Sequence, residues 1–431
     1  MSDMLTQSTP ADRSFELPPP VRRVISVDAL RGLVMFAMIF VNDLAGADHV
    51  PAWMKHFHGP NGMTFVDLVF PAFLFIVGLS IPLAMASRPG RGGNWTAIGH
   101  ILVRTLALLA IGIMMVNSDL QPPLGPDSAK MGWSATWWTT LTYLSAILSF
   151  CSIAPGGKRA AAEKRILWRR VTVALRLLGI GLMIFLALSY RSGNGKHLLQ
   201  LRPFFIRHSW YGILGVIGWA YLVASVAYFI FRNRRTALLG CVALVMCLYP
   251  AGNMGTFDGL WIAHHMNLSA LGSRAAISVA GVLLGSILVT PDTAAHQSRI
   301  RFTLLYIAGF AAAAVLLHRQ WGISKEAGTP SWCFWACAIT AAIWLGFYLI
   351  SDVLGWSPVV KPLAIAGRNV LLAYLLSEMM ESAFDLLHIN NWYQHLAEPN
   401  LTHAIARSAG CGVVILALTA VINRVGFRVK L

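Results

Sequence analysis

The sequence predicts an all-α polytopic membrane protein with about 11 to 12 transmembrane helices in one bundle, and three observations predict it. Hydrophobic residues fill 56% of the 431 positions and charged residues only 12%, a balance no soluble domain of this size shows. Apolar runs of about 17 to 25 residues, long enough to cross a hydrocarbon core, recur along the whole chain. Between them the basic residues fall in short clusters, Lys158 to Arg170, Arg232 to Arg235 and Arg424 to Lys430, which is the positive-inside pattern.

Taken in order, residues 1–25 are polar, run through ELPPPVRR and lack the basic-then-apolar layout of a cleaved signal; a disordered cytoplasmic tail is expected there. A membrane domain is expected over 26–431. Its apolar segments lie near 26–46, 64–86, 97–117, 133–153, 170–190, 210–231, 236–251, 274–290, 302–318, 331–351, 362–386 and 402–424. Placing the N-terminus inside and alternating puts most of the 34 Lys and Arg, and both termini, on the cytoplasmic side. The loop 47–62, with His49, His56 and His58, then faces outward, as do 118–132, 191–209, 252–273 and 387–400. Arg31, Arg104 and Arg176 fall toward the cytoplasmic ends of their helices.

Composition also excludes. The net charge of +16 suggests a polyanion partner, but no nucleic-acid-binding motif accompanies the basic clusters. The six cysteines lie in or beside apolar runs rather than in paired loops, so no disulfide framework follows. Cys333 and Cys337 share a helix face without His or carboxylate neighbours, which reads as packing, and His264 and His265 are adjacent and point different ways; no metal is expected. A homodimer stays open.

The first span is unusual. It keeps Asp28 and Arg31 near one end and Asn42 and Asp43 near the other, and ionisable groups in membrane helices are costly. At about 100° per residue, Asp28, Arg31, Met35, Met38 and Asn42 fall in one stripe about 80° wide. Arg31 and Asn42 stand about 16 Å apart along the axis. The stripe is either a path for a long ligand or a packing seam with one ion pair.

If the outer loop presents a histidine at the far end of that stripe, three parts needed for acyl transfer meet. His56 or His58 supplies a base of near-neutral pKa or a transient acyl carrier, Asn42 an amide for a developing oxyanion, and the stripe a channel for the donor. Asp67, about one turn inside the second span, is placed to orient the histidine or to pair with Lys55. Trp133, Trp137 and Trp138 form either an interfacial aromatic belt or a stacking platform for a sugar, with Trp137 as its candidate. Asp258 and Glu378 are candidates to hold an ammonium group.

Asn42, the loop through Lys55-His56 and the following NGMTFVDLVFPAFLFIVG resemble the first two spans of the heparan-α-glucosaminide N-acetyltransferase family of transmembrane acyltransferases. The likeness continues at Arg104 and in GRNVLLAYLLSE at 367–378, where Ser377 stands in place of the family's histidine. The resemblance implies a multi-span enzyme of a bacterial inner membrane, with acetyl-CoA offered from the cytoplasm. Its acceptor is then a saccharide with a free amine on the periplasmic side. It maps the catalytic asparagine onto Asn42 and the catalytic histidine onto His56, with His58 as the alternative. Coenzyme A phosphates call for cations at the cytoplasmic mouth, which Arg31, Arg104 and Arg368 supply, and Met35 and Met38 suit a narrow pantetheine arm. The rival reading is a transporter or flippase for a saccharide or lipid-linked solute, which makes no bond.

Overall fold

The computed structural model describes residues 24–48, 50–87, 94–154, 162–260, 267–398 and 400–431. The expected tail, His49, His264 and His265 therefore lie outside the described residues, apart from Val24 and Ile25. Each apolar segment is helical: α1 (Ile25–Ala45), α2 (Val66–Ala86), α3 (Asn94–Ser118), α4 (Ala135–Ser149), α5 (Ala162–Ser189), α6 (Gly212–Phe231) and α7 (Arg235–Met246), which a short piece prolongs (Leu248–Asn253). There follow α8 (Leu268–Ser286), α9 (His296–Trp321), α10 (Pro330–Tyr348), α11 (Ser357–Ala366), α12 (Val370–Leu386) and α13 (Leu401–Arg424). Among the described residues ten helices are long and apolar enough to cross a membrane, and α11 with α12 makes an eleventh span bent by 60°. At 15 residues, α4 falls short of that length. The chain is an all-α, multi-pass membrane protein. Among the described residues its strands are confined to two short pairs, Cys151–Ile153 with Phe427–Val429 and Leu199–Leu201 with Phe204–Ile206.

Burial sorts the helices into an inner and an outer set. α8 is the most enclosed, with 72% of its apolar window buried, whereas α5 is 11% buried and turns many of its Leu and Ile side chains outward. The α2–α8 contact is close because glycines line it. A Cβ on Gly78 would stand 1.8 Å from the Ser278 carbonyl oxygen, and one on Gly281 would stand 2.1 Å from that of Phe75. The Ser278 hydroxyl then reaches the Leu74 carbonyl at 2.9 Å, which meets its hydrogen-bonding need inside the apolar core.

α1 packs on α2, α10, α11, α12 and α13 and so runs through the middle of the functional part of the bundle. Gly32 seats on the Leu363 carbonyl and Gly367 on that of Asp28, each at 2.0 Å from an imagined Cβ. This contact places the break between α11 and α12, Gly367 to Asn369, against the Arg31 end of α1. The Asn369 side chain holds the C-terminal strand there by accepting from the Val429 amide at 3.2 Å. At the other end of α1, Asp43 is buried with Arg407 of α13 at 3.1 Å. It also accepts from Tyr393 at 2.7 Å and Ser408 at 2.6 Å.

Candidate active site

The loop after α1 is shaped by one carboxylate. Asp67 is 1% exposed and accepts from the backbone amides of Thr64 at 3.0 Å and Phe57 at 3.1 Å, while its other oxygen meets His56 Nδ1 at 2.8 Å. Thr64 ties the same turn to the Lys55 carbonyl at 2.8 Å. In the tautomer in which Nδ1–H donates to Asp67, Nε2 is left as the acceptor, so the imidazole is fixed both in orientation and in the nitrogen it offers. Asp67 stands against His56 rather than Lys55.

The Asn61-Gly62 pair fastens this loop to the segment between α9 and α10. Gly62 N donates to the Ile323 carbonyl at 2.8 Å, and Ile323 N donates to Asn61 Oδ1 at 3.1 Å. That clamp delivers Lys325, whose ammonium stands 2.9 Å from His56 Nδ1, 3.1 Å from Nε2 and 3.9 Å from Asp67. Burial pushes the Lys325 amine below its ordinary pKa and nearby Arg274 adds to this, against the attraction of Asp67 and Glu326. Glu326 itself holds His58 Nδ1 at 2.7 Å, out on a surface where the His58 side chain is 77% exposed.

A pocket of about 280 Å³ opens beside His56. Asn42 and Met38 of α1, Trp210, Arg274 of α8, Lys325 and Trp332 of α10 are among its walls. Asn42 Nδ2 donates to Glu378 Oε1 on α12 at 3.2 Å. His56 and Asn42 thus share a cavity, and His58 does not line it.

The opposite end of α1 borders a larger cavity of about 1540 Å³. Arg31, Arg104, Arg232, Arg368, His100 and Lys430 line it. Arg31 bonds Asp28 at 3.0 Å and the Ser80 hydroxyl at 2.5 Å, and so is held by the protein while it faces the cavity. The Arg104 guanidinium lies 4.5 Å from the Tyr221 ring centroid, and its Nε is buried without a protein partner among the described residues. Arg368 sits exposed in the break between α11 and α12. Cationic side chains at one mouth with aromatic and apolar walls behind suit a ligand that has phosphates at one end and a long apolar arm.

The stripe of α1 is divided between these cavities. Asp28 and Arg31 face the larger and Met38 and Asn42 the smaller, while Met35, one turn from each set, is fully buried and lines neither. Asp258 and Trp137 line neither cavity; Asp258 is exposed in the turn after Asn253, and Trp137 is 52% exposed beside the buried Trp138. Sequence reasoning missed Lys325, Arg274 and Trp332. The one available signal was an outward Lys-Glu pair between two spans. No group of three or more metal-ligating side chains is present among the described residues.

Three comparisons bear on this arrangement. A family described as a domain of unknown function (DUF5009) matches residues 23–121, which contain Asn42, His56, Asp67 and Arg104. The chain is 34% identical over 157 residues to heparan-alpha-glucosaminide N-acetyltransferase of Homo sapiens, covering 36% of this chain and 23% of that protein. It is 41% identical over 130 residues to the Mus musculus protein of the same name, covering 30% and 19%. The match spans less than a quarter of the length of either curated relative.

Proposed function

We propose, from the premise that the chain is over part of its length a relative of heparan-alpha-glucosaminide N-acetyltransferase, that it transfers an acetyl group across a membrane. The donor is cytoplasmic acetyl-CoA and the acceptor a saccharide amine on the far side. The observation that carries the reading is the Asp67–His56 pair, 2.8 Å apart, in one pocket with Asn42.

The chemistry follows from those groups. Asp67 holds His56 so that Nε2 takes a proton from the acceptor amine as its nitrogen bonds to the thioester carbonyl carbon. The carbon–sulfur bond breaks and the sulfur leaves as a thiolate, which is then protonated. The Asn42 amide donates to the carbonyl oxygen as negative charge gathers there. Arg31, Arg104 and Arg368 hold the donor's phosphates at the larger cavity. The bilayer in question is the bacterial inner membrane, with both termini cytoplasmic.

Label transfer tests this. Purified protein in liposomes, given acetyl-labelled CoA on the Arg31 side and glucosamine on the His56 side, yields labelled N-acetylglucosamine. Glucosamine that crosses the bilayer unmodified points instead to a carrier, and then the proposal fails.

A further inference from the structure

We infer that the small pocket beside His56 is built for an acidic acceptor, with Arg274 binding a carboxylate or phosphate carried by the sugar that presents its amine to His56. The inference rests on the acetyl-transfer reading and names the substrate class of the same site.

Charge accounting around the pocket leads to it. Two cations line it, Arg274 and Lys325, together with one carboxylate, Glu326. Glu326 is 63% exposed and engaged with His58, and Asp67 behind His56 is spent on that imidazole and two backbone amides. Lys325 has Asp67 at 3.9 Å and the imidazole nitrogens nearer still. Arg274 has neither a hydrogen bond nor an ion pair with any described residue, and it is half-buried at the outer edge of the apolar stretch of α8. A half-buried guanidinium with no partner is costly unless something neutralises it. Its planar fork matches the two oxygens of a carboxylate or phosphate.

Trp332 forms part of the apolar wall. It lines the same pocket, is wholly buried, and its indole N–H has no acceptor among the described residues. Trp210 and Phe70 add apolar wall against which a sugar ring packs. At about 280 Å³ the pocket lies at the small end of ligand sites, a size for one substituted ring and not for an oligosaccharide. The same positive field favours the neutral form of an incoming amine, which is the form that attacks.

The test uses the full chain in detergent with three probes: glucosamine, glucosamine 6-phosphate and 2-amino-2-deoxyglucuronic acid. Without acetyl-CoA, thermal unfolding is expected to rise with one or both acidic sugars and not with glucosamine, and the stronger of the two assigns the anion. With acetyl-CoA, the better acidic sugar is expected to exceed glucosamine at least tenfold in kcat/KM. Arg274→Gln brings that ratio near one and abolishes the thermal protection, and Arg274→Lys keeps part of both. Equal protection by neutral and acidic sugars overturns the inference, as does an Arg274→Gln variant that slows transfer to all of them by the same factor. Acid-specific protection that vanishes in Arg274→Gln, with no acetyl transfer to any sugar, sustains the anion site and removes the transferase reading instead.

Discussion

Asn42 on α1 donates its side-chain amide to Glu378 on α12 across 3.2 Å, so a group proposed to touch the reacting carbonyl is steadied by a helix that begins at the opposite cavity. One Nδ2 hydrogen is directed at the carboxylate, which leaves the other for a developing oxyanion. Glu378→Ala releases the amide and is expected to lower kcat by about 10- to 100-fold with little change in KM for acetyl-CoA. Glu378→Gln keeps an acceptor oxygen and loses less. Steady-state kinetics on the two variants decides it, and equal losses in both remove the positioning role.

The two outer-loop histidines separate cleanly. His56→Ala is expected to lower kcat by about 10²- to 10⁴-fold, the usual contribution of a general base. His58→Ala, which removes only an exposed contact to Glu326, stays within about twofold of wild type. Label transfer measured on both at saturating donor suffices, and an inactive His58→Ala beside an active His56→Ala would falsify the assignment.

Asp43 and Arg407 form a buried pair, 8% and 3% exposed, that ties α1 to α13. Arg407→Ala leaves the Asp43 charge, among the described residues, with Tyr393 and Ser408 as its remaining side-chain partners and is expected to destabilise the fold by about 3 to 5 kcal/mol. Restoring neutrality with Asp43→Asn in the same chain recovers part of the loss. Thermal unfolding in detergent reports both, and a double variant no better than the single one refutes the charge explanation.

Asp119, just beyond α3, has its carboxyl pushed up to about 6 by burial, against the Tyr143 hydrogen bond at 3.1 Å and with repulsion from Glu381 adding to the rise. The folded state therefore keeps a proton that the unfolded chain releases near its ordinary value of 3.8. Its stabilising contribution is full below that pH and fades as pH climbs through about 6. Asp119 as a whole is exposed, with its carboxyl turned against Tyr143, so the effect is strongly screened. The melting temperature of wild type is expected to fall relative to Asp119→Asn between about pH 4 and 6 and to run parallel above that. A constant difference across the range argues against a raised Asp119.

Much of the fold was legible because periodicity and length are local properties: every apolar segment named from the chain is a helix, and the 60° bend falls at the Gly367-Arg368-Asn369 triplet inside one of them. The same holds for His56 and Asp67, which are 11 residues apart and joined by a turn whose amides both point at one carboxylate. Lys325 and Arg274 were not legible in that way. They reach the pocket from α8 and from the loop before α10, more than 200 residues along the chain, and long-range contacts such as the Asn61-Gly62 clamp and the glycine-lined α2–α8 contact bring them there. Met35 shows the opposite limit. Helical geometry put it in the stripe correctly, but which stretch of a stripe faces a cavity and which faces a neighbouring helix depends on packing that a single helix does not encode.

Met35 has a further consequence for the energetics of the cell. If acetyl transfer runs between the two cavities, the fully enclosed thioether that parts them insulates the bilayer against proton leak, while its three rotatable bonds let it swing aside for a slender acyl arm. Under the proposed reaction a two-carbon fragment crosses without short-circuiting the transmembrane potential. Vesicles carrying Met35→Ala are accordingly expected to dissipate an imposed pH gradient faster than wild-type vesicles, and unaltered decay would mean that insulation resides elsewhere.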